Sequence, residues 1–318
     1  MGFGQSSIRS FMILIFLFSY RQVSVNGQNL TEGFYSVACP LAETIARATI
    51  RTYFLVQPNI APGLLKLHYS DCFVEGCDGS VLISGPNTER TADANLNLRG
   101  FEVIEDIKRQ LEVVCPGVVS CADILALAAR DAVVLTNGPS WDVKSGRKDG
   151  RVSLAANVKN LPSLSHSITV LLNNFAALGL NTEDFVALFG GHTIGTAACR
   201  FITDRIFSTI DLTIDPLFLA QLQSSCPING SGSSRVALDT GSELVFDTSI
   251  FKNILNGRTV LKTDQILLTN PMIYRMLQDF VTFQRFNTIF TRAMAKMSGI
   301  GVKTELNGEI RRNCSKVN

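Results

Sequence analysis

Residues Leu65 to Ile83 read LKLHYSDCFVEGCDGSVLI. Lys66 and Ser70 stand four apart, so on a helix their side chains share a face. His68 is two positions from Ser70, about 200° around the helix axis, and points the other way. Asp71, Asp78 and Ser80 then bring hard oxygens into one short loop, with Gly76 available for a tight turn. Carboxylate, hydroxyl and carbonyl oxygens are what calcium takes, although these residues alone fit a capped loop equally well. Cys72 and Cys77 are near enough for a local disulfide.

The rest of the 318 residues sets bounds on function. Such a chain can bury a large core. A formal charge of +2 with 18% charged residues leaves no electrostatic footprint for nucleic acid. With 46% hydrophobic residues and 10 prolines, disorder is not expected over most of the length. Only three histidines occur, His68, His166 and His192, so a histidine-based mechanism has few candidates.

Arg9, the apolar run Phe11 to Phe18 and a polar stretch ending in small residues have the order of a secretory signal over residues 1–27. The apolar run is shorter than the about 20 residues of a membrane span. Met1 to Ser6 also fits a myristoylation pattern, but a hydrophobic core follows it directly. Eight cysteines behind such a leader predict a disulfide framework, with the pairing open beyond Cys72 and Cys77. No cysteine pair or Cys/His cluster has zinc spacing. Glycosylation sequons begin at Asn29, Asn229 and Asn313, the third crowded by Cys314.

Helical signals dominate the rest. Ser120 to Asp123 reads as a capping box before ILALAARDAVVL, and Phe101 to Val114 as a helix stopped by Pro116-Gly117. Ser165 or His166 is expected to open ITVLLNNFAALG, closed by Gly179. Asn181 starts a helix that runs into Gly190-Gly191, and Asn270-Pro271 one that continues to about Met297. Strand-like alternation is confined mainly to Trp141–Val143. The prediction is a mostly α chain whose mature part, residues 28–318, is one unit.

His192 lies in DFVALFGGHTIGTAACRF, where two glycines allow a sharp turn and close approach to a flat ligand. A lone histidine is more often structural, and the surroundings decide the matter here. This segment is very similar to the proximal haem-ligand segment of the secretory plant peroxidases, and Leu65–Ile83 resembles their distal haem-pocket helix and calcium loop. The resemblance runs from FYSVACP to EIRRNCSKVN, and all eight cysteines fall at family positions.

The resemblance implies a mostly all-α haem peroxidase fold, with two helical lobes sandwiching one haem b. It implies the disulfides Cys39–Cys115, Cys72–Cys77, Cys121–Cys314 and Cys199–Cys226. His192 would be the axial ligand and Asp264 the acceptor for its other ring nitrogen. One calcium would sit on Asp71, Asp78, Ser80 and the Val74 and Gly76 carbonyls. A second would take Thr193, Asp239, Ser242, Asp247 and the Val245 carbonyl. Tyr69 stands where a phenylalanine usually limits access to the haem edge, and Pro162 where a proline carbonyl borders the aromatic donor site. Hydrogen peroxide and small aromatic donors are the implied partners of a secreted, apoplastic or cell-wall monomer.

The departure is on the distal side. The family carries an arginine and a histidine there, which together break the O–O bond of hydrogen peroxide, and this chain has Lys66 and Ser70. Asn95 and Glu89 match the relay that orients the missing histidine. His68 matches a structural histidine. A serine hydroxyl is no general base near neutral pH without a base of its own, and lysine lacks arginine's planar fork. The expectation is a peroxidase-family protein with weak turnover, or one that works by binding haem rather than by catalysis.

Overall fold

The computed structural model describes residues 30–163 and 165–318. The leader expected over residues 1–27 and the Asn29 sequon lie outside them. Eleven α-helices form among the described residues: α1 Ala42–Val56, α2 Ile60–Cys72, α3 Phe101–Val114, α4 Cys121–Leu135, α5 Ile168–Ala177, α6 Thr182–Phe189, α7 Pro216–Ser225, α8 Ser249–Leu255, α9 Lys262–Gln265, α10 Pro271–Phe280 and α11 Phe283–Met297. Two short antiparallel strands, β1 Thr196–Ala198 and β2 Arg235–Ala237, pair with each other, and short 3-10 helices link several of the longer elements.

Helix α4 is buried at every residue from Cys121 to Val133, and that burial organises the fold. Its Leu125 and Ala128 pack into one core with α1, α2 and α3. Its Ala129 and Val133 pack into a second with α5, α6, α8, α10 and α11. Helix α2 divides its own surface similarly. Ile60, Leu64 and Leu67 enter the first core, while Leu65, Lys66, Tyr69 and Ser70 face a cavity between the two helical groups. Pro62 sits in the first turn of α2, where no intrahelical N–H is lost. All four disulfides implied by the resemblance are formed: Cys39–Cys115, Cys72–Cys77, Cys121–Cys314 and Cys199–Cys226.

Several local expectations hold and others need correction. Helix α6 starts after Asn181 as expected, where Asn181 and Asp184 also make a reciprocal capping box, and α3 has its predicted bounds. Ser120 caps α4 by accepting from Asp123 N at 3.1 Å, but the reciprocal half is missing. The Asp123 carboxylate is engaged instead by Tyr35 Oη at 2.6 Å, Gly146 N at 2.7 Å and Arg147 Nη1 at 2.6 Å. Helix α5 is capped by Ser167, not by Ser165 or His166.

The single helix expected from Asn270 to Met297 is two, broken at Val281–Thr282, where Thr282 is extended. The break aims Phe280 and Phe286 into one aromatic cluster around Phe251, at centroid distances of 5.5 and 4.8 Å. Trp141–Val143 forms no strand. Its alternation instead reflects core packing, with Val143 buried and Trp141 edge-on to Phe290 at 6.1 Å. In both corrections tertiary packing overrides the local pattern.

Candidate functional site

A cavity of about 700 Å³ lies between α2 and the segment that follows α6. Lys66, Tyr69 and Ser70 line one side, and Phe189, Gly191 and His192 the other. Pro162, Phe290 and Met294 also line it. His192 sits in a single tight turn, Gly190–Thr193, directly after α6. That turn needs Gly190, because a Cβ there would lie 2.4 Å from the Phe286 ring. His192 Nδ1 is 2.8 Å from Asp264 Oδ1, and Asp264 is 1% exposed. Burial opposes charge on the imidazole, but Asp264 outweighs it and raises the His192 pKa. With Nδ1 held, Nε2 is the ring nitrogen left for a ligand in the cavity. A mostly apolar, glycine-bordered cavity with one basic imidazole can accept a haem.

The opposite side offers no second imidazole. His68 is fully buried on the far face of α2, with Nε2 2.8 Å from Ser298 Oγ. His166 lies in a loop, its Nδ1 accepting from Ser163 N at 3.2 Å. Ser70 Oγ is buried without a hydrogen-bond partner among the described residues, and so is Asn95 Oδ1. Asn95 Nδ2 donates to the Glu89 main-chain carbonyl at 2.9 Å, which fixes the amide's orientation. Tyr69 packs on Phe73 at 4.2 Å, and burial raises its hydroxyl pKa. Lys66 is accessible from the cavity yet enclosed by protein, which lowers its pKa, and Arg235 lowers it further.

The loop after α2 collects negative charge. Asp71 Oδ2 accepts from Gly79 N at 2.9 Å and Oδ1 from Val81 N at 3.3 Å, while Asp78 Oδ1 accepts from Ser80 N at 3.0 Å. Burial pushes Asp71 well above the usual carboxylate range, and Asp78 adds to this. Burial also raises Asp78 and takes Glu89 up to about 8. Among the described residues the one ion pair here is Lys303 with Asp78 Oδ2 at 3.3 Å. Ser80 Oγ and both Glu89 carboxylate oxygens are buried without hydrogen-bond partners among the described residues. Val74 and Gly76 belong to the same loop, and Gly76 has φ +97° with Gly301 packed against it. Oxygen donors carrying excess buried negative charge suit a hard cation.

A second oxygen cluster adjoins His192. Thr193 Oγ1 lies 3.0 Å from Asp239 Oδ2 and 3.2 Å from Asp247 Oδ1. Ser242 Oγ reaches Ser249 Oγ at 2.8 Å, and Ser249 in turn hydrogen-bonds both carboxylates. Val245, whose N–H donates to the Ser242 carbonyl at 2.8 Å, closes the turn. Burial raises the Asp239 pKa, and neither Asp239 nor Asp247 has a cationic side-chain partner among the described residues. Ser249 and Asn253, which donates to Asp239 Oδ1 at 2.6 Å, were missed in the sequence. The first turns of α8 place them there, and no motif marks them.

The sequence compares as the geometry does. The peroxidase family model matches residues 46–282. Peroxidase 62 of Arabidopsis thaliana is 59% identical over 317 residues, covering 98% of this chain and 99% of that protein. Peroxidase 71 of Arabidopsis thaliana is 54% identical over 325 residues, covering 98% of this chain and 99% of that protein. Peroxidase N1 of Nicotiana tabacum is 51% identical over 318 residues, covering 97% of this chain and 96% of that protein. Near-complete coverage at such identity, with the helical architecture and four disulfides in place, makes this chain a member of the class III plant peroxidase family.

Proposed function

We propose that this chain is an extracellular, monomeric haem peroxidase of the apoplast or cell wall, slowed at the step that consumes peroxide. It would hold one haem b through His192 and two calcium ions through its two oxygen clusters. The buried, partnerless Ser70 Oγ carries this reading, because it stands where a proton acceptor is required.

Haem supplies the redox chemistry when bound, and the chain supplies position and protons. Asp264 holds the His192 ring in one tautomer and makes its free nitrogen more basic. Lys66 brings a positive charge to the opposite side, but enclosure works against that charge. Ser70 cannot take a proton at neutral pH, and Asn95 Oδ1 has no imidazole to orient. Loss of a general acid–base group costs about 10²–10⁴ in rate. Small aromatic donors would enter beside Pro162 and Tyr69, which border the cavity.

The test is stopped-flow mixing of haem- and calcium-loaded protein with hydrogen peroxide, alongside steady-state guaiacol oxidation. The reading expects a normal Soret band with peroxide consumption well below that of an ordinary family member. Ordinary peroxidase speed would overturn the slowed step. Haem uptake with no turnover at all would assign the chain to haem binding, the reading that the missing distal base also favours. Absence of haem uptake would refute both.

A further inference from the structure

The rim of the cavity carries a set of cations that no carboxylate pairs with among the described residues. Lys66 from α2, Arg99 just ahead of α3 and Arg235 from β2 all line it. Arg200 is close enough to act on Arg235 electrostatically. Among the described residues no carboxylate lies within ion-pair distance of any of the four, although most other arginines near carboxylates are paired, Arg147 with Asp123 and Arg205 with Asp211 among them. Asp93 borders the same cavity without pairing to them. Like charges gathered without a counter-charge are unfavourable unless an anion joins them.

Arg235 is also held in place. Its strand partner in β1 is Ala198, and the side chain reaches diagonally to Thr196, two residues away on the same face. Nε donates to Thr196 Oγ1 and Nη2 to the Thr196 carbonyl, both at 2.6 Å. Thr196 follows His192 by four residues, so the guanidinium is braced against the segment that carries the imidazole. Nη1 has no acceptor among the described residues. A pre-positioned guanidinium at the rim of a mostly apolar cavity suits a ligand with an apolar body and a carboxylate at its edge.

We propose that Arg235, supported by Arg99, is a carboxylate-binding site at the rim of this cavity. The carboxylate could come from the edge of haem b or from a carboxylated aromatic donor. The first source rests on the haem reading above, and the second does not.

Haem-free protein, as wild type and Arg235→Leu, would be titrated with haemin and with haemin dimethyl ester, following the Soret band. Both proteins would also be titrated with 4-hydroxycinnamate and its methyl ester, read by difference spectra in the haem-loaded form or by Trp141 fluorescence in the haem-free form. A loss of about tenfold or more for haemin but not for its ester in Arg235→Leu assigns the haem carboxylate. The same selective loss for the hydroxycinnamate acid assigns the donor. Arg235→Lys, which keeps charge without the fork, should fall between wild type and Leu for the same ligand. Equal affinities of wild type and Arg235→Leu for all four ligands, or equal losses for acid and ester, would overturn the site. If wild type takes up neither haemin nor its ester, the haem reading fails, and the hydroxycinnamate pair on haem-free protein still decides the carboxylate site.

Discussion

His192 Nδ1 and Asp264 Oδ1 lie 2.8 Å apart across 72 residues of sequence, the carboxylate buried on α9 and the imidazole at the cavity wall. The contact joins the turn that carries His192 to α9. It selects the tautomer that presents Nε2 to the cavity, and it opposes the burial that would otherwise depress the imidazole. Replacing Asp264 by Asn keeps the volume and removes the charge. Haem affinity of Asp264→Asn should fall about 10–100-fold by Soret titration, with His192→Ala falling further. Unchanged affinity in both would place the ligand elsewhere.

The distal deficit should be repairable. Lys66→Arg with Ser70→His should raise the peroxide rate constant by about 10²–10⁴, because Asn95 Oδ1 is already buried and free to accept an imidazole N–H. Ser70→His alone should recover more than Lys66→Arg alone, since the missing proton acceptor is the larger loss. Stopped-flow traces at several peroxide concentrations measure all three variants, and no gain in the double variant would show that the slow step is not proton transfer.

Calcium removal should act on both stability and the site. Three buried carboxylates around Ser80, and buried Asp239 with half-buried Asp247 beside Thr193, repel one another without a cation. At free calcium near 100 times Kd, each site adds about 2.7 kcal/mol, so chelation should lower Tm by several degrees. Thr193 adjoins His192, so Asp239→Ala should also perturb the haem spectrum. A chelator without effect on calorimetric Tm would count against both metal sites.

His68 should make the protein acid-sensitive. Burial, with Arg147 adding to it, lowers its folded pKa to about 3, against about 6.5 unfolded. Below about pH 6.5 the unfolded chain binds a proton that the folded chain refuses, so stability falls with pH until about pH 3. The cost is up to about 1.4 kcal/mol per pH unit in that window. His68→Gln, which retains a polar partner for Ser298, should flatten this part of the urea-denaturation profile. An equally steep slope in the variant would assign the acid sensitivity to other groups.

Local chemistry was legible wherever a few neighbouring residues decide the backbone. The start of α6 at Asn181 and the span of α3 follow from caps, periodicity and stop signals within one segment. The family and its mostly helical fold were legible from two motifs and the cysteine positions. What the linear order does not contain is which distant groups meet. The break at Val281–Thr282 depends on aromatic packing around Phe251, contributed by α8. Val143 alternates like a strand residue yet is buried without a sheet, because it packs into the core around α1–α4 while Trp141 packs edge-on to Phe290. Ser249 and Asn253 join the Asp239 cluster only through the placement of α8. Arg235 reaches the cavity only because β2 pairs with β1. The sequence by itself determined the residue types on each wall, including Lys66 and Ser70. Only the tertiary structure left Ser70 Oγ and Asn95 Oδ1 buried without partners among the described residues, and drew together four cations that none of those residues pairs with, because burial and Coulomb interactions depend on distance in space.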